Sequence, residues 1–194
     1  MRKIYAFDFD GTLTTRDTLL AFIRYAKGMR AFVWGFLRHA HLLVLMKLGL
    51  YPNWKVKQRV FSYYFKGMPL DVFDTLCRQF AADNRSLLRP EGIRTVQQAQ
   101  ADGAEVLIVS ASIDNWVQPF FPGVTIVGTR VEERNGRLTG RFLTPNCYGQ
   151  EKVNRILALY PDRHEYHLTA FGDSGGDKEL LAFADEVHYK PFRV

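Results

Sequence analysis

Two groups of aspartates follow apolar segments of this sequence, one near each end of the chain. Asp8 lies near the end of the segment KIYAFDF, Asp10 follows it directly, and Asp173 and Asp177 follow HLTAFG. Alternate residues of an extended strand face the same side, so Asp8 and Asp10 are expected to begin on one face. Gly11 then permits a tight turn whose backbone N–H groups could cradle an anion. One Asp-Gly turn is common at strand ends, but two acidic clusters after two apolar strands indicate a functional site.

These aspartates suit a divalent metal ion if the two apolar strands are neighbours. Asp8 and Asp173 would then converge at one edge of a sheet. Clustered carboxylates repel one another unless a cation lies between them. Hard oxygen ligands of this kind select Mg²⁺, so the sequence predicts a Mg²⁺ site.

The elements that must position these residues alternate between helix and strand after Pro90. The predicted order is the helix PEGIRTVQQAQADG, the strand EVLIVS, a helix over 113–121, the hairpin VTIVGTRV/RLTGRFL, the helix QEKVNRILALY, the strand HLTAFG, the helix DKELLAFA and the strand EVHYK. The hairpin rests on Asn135-Gly136, which supplies two positive φ angles. Such alternation predicts an α/β fold with a Rossmann-like parallel sheet covered by helices.

An all-helical segment interrupts this pattern after the first strand. Apolar residues recur there at helical spacing, as in the group Phe73, Leu76 and Phe80. The segment would leave the sheet at the carboxyl end of a strand, the edge where open α/β sheets bind ligands. We therefore predict a catalytic core formed by residues 1–14 and 89–194 and a helical cap formed by residues 15–88.

Charge and cysteine content limit the classes of protein that fit. The formal net charge of the 194 residues is +6, yet no acidic residue lies between Asp17 and Asp71, a stretch with nine basic ones. A basic cap favours an anionic substrate or an anionic membrane surface. Cys77 and Cys147 form no CxxC motif, which excludes a disulfide framework and suits a reducing compartment. We expect a cytoplasmic protein, either free or bound at the inner face of the membrane.

The longest apolar run is AFVWGFLRHAHLLVLMKLGL, residues 31–50. Arg38 and Lys47 interrupt it, so the sequence predicts that it does not span a membrane. Two alternatives stay open at this point. The run is either an interfacial helix with apolar and basic side chains or a buried helical hairpin of a small bundle.

Four segments of this sequence resemble the four motifs of the haloacid dehalogenase superfamily. They are DFDGTLT at 8–14, VSAS at 109–112, Lys152 in GQEKV and GDSGGD at 172–177. Helices inserted just after the first motif are similar to the cap of the phosphoserine-phosphatase-like branch. Within that branch, the apolar basic cap and the last two motifs look most like phosphatidylglycerophosphatase C-type proteins.

The resemblance implies a role for each motif residue. Asp8 would be the nucleophile that forms an aspartyl-phosphate, and Asp10 the general acid and base. Mg²⁺ would be held by the carboxylates of Asp8 and Asp173 and by the backbone carbonyl of Asp10. Residues that would contact the substrate phosphate, or lie in the motifs beside it, are Gly11, Ser110, Ala111 and Lys152. Asp177 would orient Lys152 or metal-bound water. Taken alone, Ser110 also fits a helix N-cap, and Asp177 fits a first-turn helix acid.

The function implied is a Mg²⁺-dependent phosphatase that hydrolyses a phosphate monoester. The substrate is either a lipid phosphate resembling phosphatidylglycerophosphate or a small metabolite phosphate. Phosphoserine fits less well, because Gly176 stands where phosphoserine phosphatases usually carry Asn.

Two further functions compete with hydrolysis. A phosphomutase or phosphotransferase would use the same core residues. A basic module with a vestigial site would instead bind a nucleic acid or a membrane, although the sequence carries no recognised nucleic-acid motif and we expect no nucleic-acid partner. The sequence carries no signal for the oligomeric state.

Overall fold

The computed structural model describes residues 1–193 and contains a five-stranded parallel sheet in the order β3-β2-β1-β6-β7. The strands are β1 (Arg2–Phe7), β2 (Glu105–Ile113), β3 (Thr125–Thr129), β6 (Tyr166–Gly172) and β7 (Glu186–Tyr189), and a separate antiparallel hairpin contains β4 (Val131–Arg134) and β5 (Arg137–Phe142). The three central strands are apolar and buried, as expected for a parallel sheet with both faces covered. The predicted α/β fold class is confirmed.

Seven α-helices accompany these strands in the described residues. They are α1 (Thr18–Lys47), α2 (Asn53–Phe65), α3 (Leu70–Asp83), α4 (Pro90–Ala101), α5 (Asp114–Val117), α6 (Gln150–Leu159) and α7 (Lys178–Phe183). Helix α4 begins with Pro90 at its first position, where the missing N–H costs no hydrogen bond, and Gly103 follows its end with φ +72°. The order after Pro90 therefore follows the predicted alternation closely.

Helices α1, α2 and α3 lie in the predicted insertion. Their common core is aromatic: Phe22 of α1 packs against Phe65, Phe73 and Phe80 with ring centroids 5.3–5.6 Å apart. The ring of Phe22 also stacks at 5.0 Å on Trp116, which belongs to the α/β part of the chain. This aromatic cluster fixes the inserted helices against the carboxyl edge of the sheet.

The two ends of the insertion meet beside the sheet. Thr14 and Leu88 form an isolated antiparallel bridge, and the backbone N–H of Arg89 donates to the carbonyl of Leu13 at 2.8 Å. The chain therefore leaves for the inserted helices and returns from them at nearly the same point.

The hairpin differs from the prediction in one of its strands. Asn135 and Gly136 form the turn with positive φ, as predicted, but VTIVGTRV is not one continuous strand. Most of this segment is β3, which joins the parallel sheet beside β2, and the strand that pairs with β5 is VEER, which begins only at the last residue of the segment, Val131. The apolar residues of β3 gain burial against β2, whereas the charged residues stay out of the core.

The helix predicted over 113–121 is also shorter than expected. Strand β2 continues to Ile113, α5 covers only Asp114–Val117, and a 3-10 turn follows at Gln118–Phe120. Pro119 interrupts the helix because it lacks a backbone N–H.

The apolar run 31–50 does not form a buried hairpin, so that alternative was wrong. Most of it is the second half of α1, beyond a break at Gly28, where φ is +77°. One side of this half packs on α2, and the other side leaves several large apolar residues exposed. Among residues 1–193, no helix has the length and apolar character needed to cross a membrane.

Candidate active site

The structure brings the two acidic segments together at the carboxyl edge of the sheet. Strands β1 and β6 are hydrogen-bonded neighbours with Phe7 opposite Phe171, so Asp8 and Asp173 follow at the same edge. The backbone N–H of Asp8 donates to the carbonyl of Phe171 at 2.8 Å. Carboxylate oxygens of Asp8, Asp173 and Asp177 all lie within 4.8 Å of one another, and all three residues are buried.

Lys152 lies at the centre of this acidic cluster. It is in the first turn of α6, only 1% of its surface is exposed, and its Nζ donates to Oδ1 of Asp8 and to Oδ1 of Asp177, both at 2.6 Å. Burial by itself would lower the pKa of Lys152, but Asp8 and Asp177 outweigh burial and raise it. Lys152 is therefore held as an ammonium ion against the acidic pair.

The carboxyl groups of Asp8 and Asp177 have different proton affinities. Burial raises the pKa of Asp8 to about 7, although the charge of Lys152 opposes this shift. Burial also acts to raise the pKa of Asp177, but Lys152 and the backbone N–H groups of Asp173 and Ser174 hold it below its ordinary value. Asp177 is thus firmly ionised, whereas Asp8 is easily protonated in the absence of a metal ion.

Asp177 has no free carboxylate oxygen for a metal ion. Its Oδ1 accepts from Lys152, and its Oδ2 accepts from the backbone N–H of Asp173 and from the backbone N–H and hydroxyl of Ser174. Ser174 and Asp177 form a capping box at the 3-10 turn Gly175–Asp177. Asp177 therefore acts on the site through Lys152 and through the backbone of Asp173.

The turn after β1 is shaped around Asp173. Gly11 has φ +84°, and a Cβ at this position would lie 2.6 Å from Oδ2 of Asp173. The hydroxyl of Thr12 donates to Oδ2 of Asp8 at 3.1 Å and, in an alternative geometry, to Oδ1 of Asp173 at 3.3 Å. Arg193, near the end of the described chain, donates its guanidinium to Oδ2 of Asp173.

The donor set fits a hard divalent cation. Three buried carboxylates lie together with one buried ammonium group, and Gly11 lets the backbone approach Asp173 so closely that a Cβ would collide with its carboxylate. Asp8 and Asp173 are the residues whose carboxylates could hold such an ion, because each of their oxygens accepts from one donor, whereas Oδ2 of Asp177 accepts from three. Carboxylate oxygens are the ligands that Mg²⁺ prefers.

Asp10 lies apart from this cluster and points towards the inserted helices. Its Oδ1 accepts from the backbone N–H of Thr18 at 2.7 Å and from the hydroxyl of Thr18 at 2.6 Å, and its Oδ2 accepts from the hydroxyl of Ser112. Burial raises the pKa of Asp10, and the nearby charge of Asp17 adds to the effect. Asp10 is thus positioned to carry a proton separately from Asp8.

Ser110 and Ala111 lie at the end of β2 beside the same pocket. The hydroxyl of Ser110 accepts from the backbone N–H of Ser112 at 3.0 Å, and the carbonyl of Ala111 accepts from Thr129 Oγ1 at 2.9 Å. Neither Ser110 nor Ser112 caps a helix, because the N-cap of α5 is Ile113. The simple N-cap interpretation of these serines is therefore wrong.

Sequence reasoning missed one cation of the pocket, Lys57. This residue of α2 reaches out of the insertion, and its Nζ donates to the carbonyl of Ala111 at 2.6 Å. Burial lowers the pKa of Lys57, while the charges of Asp10 and Asp17 oppose the shift. In the sequence Lys57 is one of nine basic residues of the insertion and belongs to no motif, so nothing there distinguished it.

The pocket at these groups has a volume of about 290 Å³ and two kinds of wall. Polar groups of the sheet edge line its floor. Apolar residues of α1 and α2 line its outer part: Leu19, Leu20, Phe36, Val56 and Val60. A second, wider groove of about 680 Å³ shares Asn53, Asn146 and Tyr148 with this pocket.

Comparison with known proteins agrees with this geometry. The family model described as haloacid dehalogenase-like hydrolase matches residues 5–182. The chain belongs to the haloacid dehalogenase-like hydrolases. The match spans the aspartates of both strand ends and Lys152, so the prediction of the superfamily and of an enzyme is confirmed.

Similarity to a curated relative and to a solved structure extends over nearly the whole chain. Protein CicA of Caulobacter vibrioides is 37% identical over 197 residues, which cover 98% of this chain and 86% of CicA. Among solved structures, the fold is similar to that of a Bordetella pertussis Tohama I protein of unknown function, with TM-score 0.83, 20% identity and coverage of 96% of this chain and 89% of that one.

Two further structures relate the fold to one branch of these hydrolases. A probable phosphoserine phosphatase from Vibrio cholerae has TM-score 0.70 and 18% identity over 97% of this chain and 56% of that one. A phosphoserine phosphohydrolase-like protein from Francisella tularensis has TM-score 0.67 and 18% identity over 96% and 86%. The fold is therefore that of the phosphoserine-phosphatase-like branch, as predicted.

Proposed function

We propose that this protein is a Mg²⁺-dependent phosphatase that hydrolyses a phosphate monoester through an aspartyl-phosphate on Asp8. The observation that carries the proposal is the position of Asp8, which contacts Lys152 at 2.6 Å and lies at the same sheet edge as Asp173. A nucleophilic carboxylate, a fixed cation and a separate protonatable acid, Asp10, are the groups that this two-step reaction needs.

In the first step, Asp8 attacks phosphorus while the ester P–O bond breaks. The leaving alkoxide takes a proton from Asp10, whose raised pKa favours the protonated acid. Lys152 neutralises charge on Asp8 and on the bound phosphoryl group. Bound Mg²⁺, held by the carboxylates of Asp8 and Asp173 and by the carbonyl of Asp10, would supply further positive charge for the transferring phosphoryl group.

In the second step, Asp10 removes a proton from the attacking water, and the acyl-phosphate on Asp8 breaks to release inorganic phosphate. Ser110 and the backbone at Gly11 and Ala111 would hold the phosphoryl oxygens at the sheet edge. The hydroxyls of Thr18 and Ser112 hold Asp10 in place during both steps. The protein ends the cycle with both acids in their starting protonation states.

The cap walls favour a substrate whose alcohol carries an apolar chain. The outer pocket is lined by apolar side chains of α1 and α2, with Lys57 as a cation beside them. Trp54, Phe142, Leu143 and Pro145 are apolar residues in the lining of the adjoining groove. A lipid phosphate resembling phosphatidylglycerophosphate would place its headgroup in the pocket and its apolar part towards the groove. A small metabolite phosphate would leave the groove unused.

A panel of phosphate esters tests this proposal. The purified protein is assayed with Mg²⁺ on lipid phosphates in detergent, on alkyl phosphates of increasing chain length and on small metabolite phosphates. We expect kcat/KM to rise with chain length and Asp8→Asn to abolish all turnover, because the variant lacks the nucleophile. Turnover near the wild-type rate in Asp8→Asn would refute the mechanism, and activity limited to small esters would retire the lipid substrate.

The same assay separates hydrolysis from phosphoryl transfer. With an added alcohol acceptor, a phosphatase releases inorganic phosphate in step with loss of the ester. A phosphotransferase would instead form a new ester with the acceptor and release less phosphate. Absence of any turnover together with salt-sensitive nucleic-acid binding would favour the binding module.

The proposal also includes the domain boundaries and the cellular setting of the protein. Residues 1–14 and 89–194 form the catalytic core and residues 15–88 the cap, and the Thr14–Leu88 bridge supports these boundaries. A reducing, cytoplasmic setting suits Cys77 and Cys147, which are both buried and unpaired within residues 1–193.

A further inference from the structure

The second half of α1 presents an apolar stripe to solvent. Trp34, Leu37, Val44 and Leu48 have 71, 62, 56 and 66% of their surface exposed. Together with His41 they are spaced by three and four residues in turn, which places them on one face of the helix. We call these five residues the α1 stripe. Contiguous exposed apolar surface of this kind marks an interaction site.

The face of α1 opposite the α1 stripe packs on α2, so the stripe is not needed to hold the helix in place. Leu42 is buried, and a Cβ at Gly35 would collide with the Tyr64 side chain. The hydroxyl of Tyr64 donates to the carbonyl of Phe32 at 2.9 Å or to that of Ala31 at 3.2 Å. No other segment among residues 1–193 covers the stripe.

The basic residues around the α1 stripe favour an anionic partner. Arg30 and Arg38 lie one helical turn before and after Trp34, Lys47 lies three residues after Val44, and all three are exposed. No acidic residue occurs from 18 to 70. A second copy of this chain would bring the same cations against one another, whereas anionic headgroups complement them.

We propose that the α1 stripe docks on the surface of an anionic lipid bilayer, with α1 lying in the interface. The apolar residues would enter the boundary between headgroups and acyl chains, and Arg30, Arg38 and Lys47 would contact lipid phosphates. Helix α1 does not span the membrane in this arrangement, consistent with its composition. The proposal rests on α1 alone, so it stands or falls independently of the phosphatase activity.

Vesicle sedimentation tests the proposal with the full-length chain and without turnover. The vesicles contain either phosphatidylcholine alone or equal parts of phosphatidylcholine and phosphatidylglycerol. We expect binding to the anionic vesicles that weakens as salt is added. The double variant Leu37→Ser/Val44→Ser should bind at least about tenfold more weakly, because two apolar contacts are lost. Each of Arg38→Gln and Lys47→Gln should cost about fivefold.

A matched control keeps the outcome clear. Leu159 and Val187 are about half exposed and lie on α6 and β7, outside the insertion. The variant Leu159→Ser/Val187→Ser should bind anionic vesicles like the wild type, and circular dichroism checks that each variant is folded. The proposal is overturned if the wild type does not bind anionic vesicles, or if the control variant loses as much vesicle binding as the stripe variant. It is also overturned if the stripe variants bind vesicles normally but no longer form a dimer that the wild type forms.

Discussion

Replacing Lys152 by Met tests whether the buried ammonium group holds the acidic cluster together. Met has a similar length but no charge, so the side chain can still fill its space in α6. The change leaves Asp8 and Asp177 without the cation that lies 2.6 Å from each of them. We expect the metal-free variant to be clearly less stable than the wild type and to lose phosphatase activity.

The expected loss follows from the two ion pairs. At an effective dielectric constant of about 20, each pair contributes roughly 4 kcal/mol of Coulomb attraction, and the cost of burying the Lys152 charge offsets much of the sum. Removing one partner of a buried ion pair typically costs about 3–5 kcal/mol. We therefore expect the free energy of unfolding to fall by about that amount in Lys152→Met.

The deficit should depend on pH in a defined direction. The pKa of Asp8 is already raised to about 7, above its ordinary value of 3.8, and it rises further without Lys152. A carboxyl group whose folded pKa is raised destabilises the folded state above the unfolded pKa, and this penalty disappears as the group becomes protonated. The difference between variant and wild type should therefore be largest near about pH 8 and shrink towards about pH 5.

Urea unfolding in the presence of EDTA measures the effect at both pH values. Arg94→Met is the matched control, because Arg94 pairs with Glu91 on the exposed surface of α4 and should change stability by no more than about 0.5 kcal/mol. If Lys152→Met costs no more than Arg94→Met at the higher pH, the buried ion pairs do not hold the site together. A deficit that grows as the pH falls would contradict the role given to Asp8.

Three other perturbations probe the proposed chemistry. Asp10→Asn should slow release of the alcohol in the first step by about 10²–10⁴-fold for alkyl phosphates and much less for aryl phosphates, since only poor leaving groups need its proton; equal losses in the first-turnover rate of alcohol release would argue against a general acid. EDTA should inactivate the enzyme, and Mg²⁺ should restore activity. Near pH 7, binding of Mg²⁺ should release about half a proton from Asp8, which calorimetry in two buffers of different ionisation enthalpy would measure. Binding of Mg²⁺ without proton release would show that Asp8 does not hold the ion. Gly11→Ala should weaken Mg²⁺ binding and turnover because the added Cβ would collide with Asp173. In the control Gly103→Ala, also at positive φ, the Cβ would meet no other atom, so only stability should change. Similar Mg²⁺ affinities in the two variants would show that Gly11 does not shape the metal site.

Several parts of the fold could be predicted from local sequence alone. The turn at Asn135-Gly136 and the start of α4 at Pro90 depend on backbone preferences of single residues, and both occur as predicted. The break between β3 and β4 was missed because VTIVGTRV is rich in β-branched residues and therefore resembles one continuous strand. Only the presence of β2 beside its apolar part decides where the sheet ends.

The candidate site also has features that the sequence predicted and features that it did not. The motif aspartates follow apolar strands, as the sequence predicted, and the pairing of β1 with β6 brings Asp8 and Asp173 together. The contact of Ser112 with Asp10 and that of Lys57 with Ala111 could not be predicted because the partners are distant in sequence: Ser112 is 102 residues from Asp10, and Lys57 is 54 residues from Ala111. Such contacts depend on how the inserted helices pack on the sheet.

The sequence by itself determined which chemical groups are present and that the acids follow buried strands, because apolar runs and turn residues act over a few neighbouring positions. The tertiary structure alone decided which cap lysine enters the pocket and which face of α1 stays exposed. Both outcomes depend on the angle at which α1 and α2 pack, and that angle comes from contacts among Phe22, Phe65 and Trp116 that no local pattern encodes.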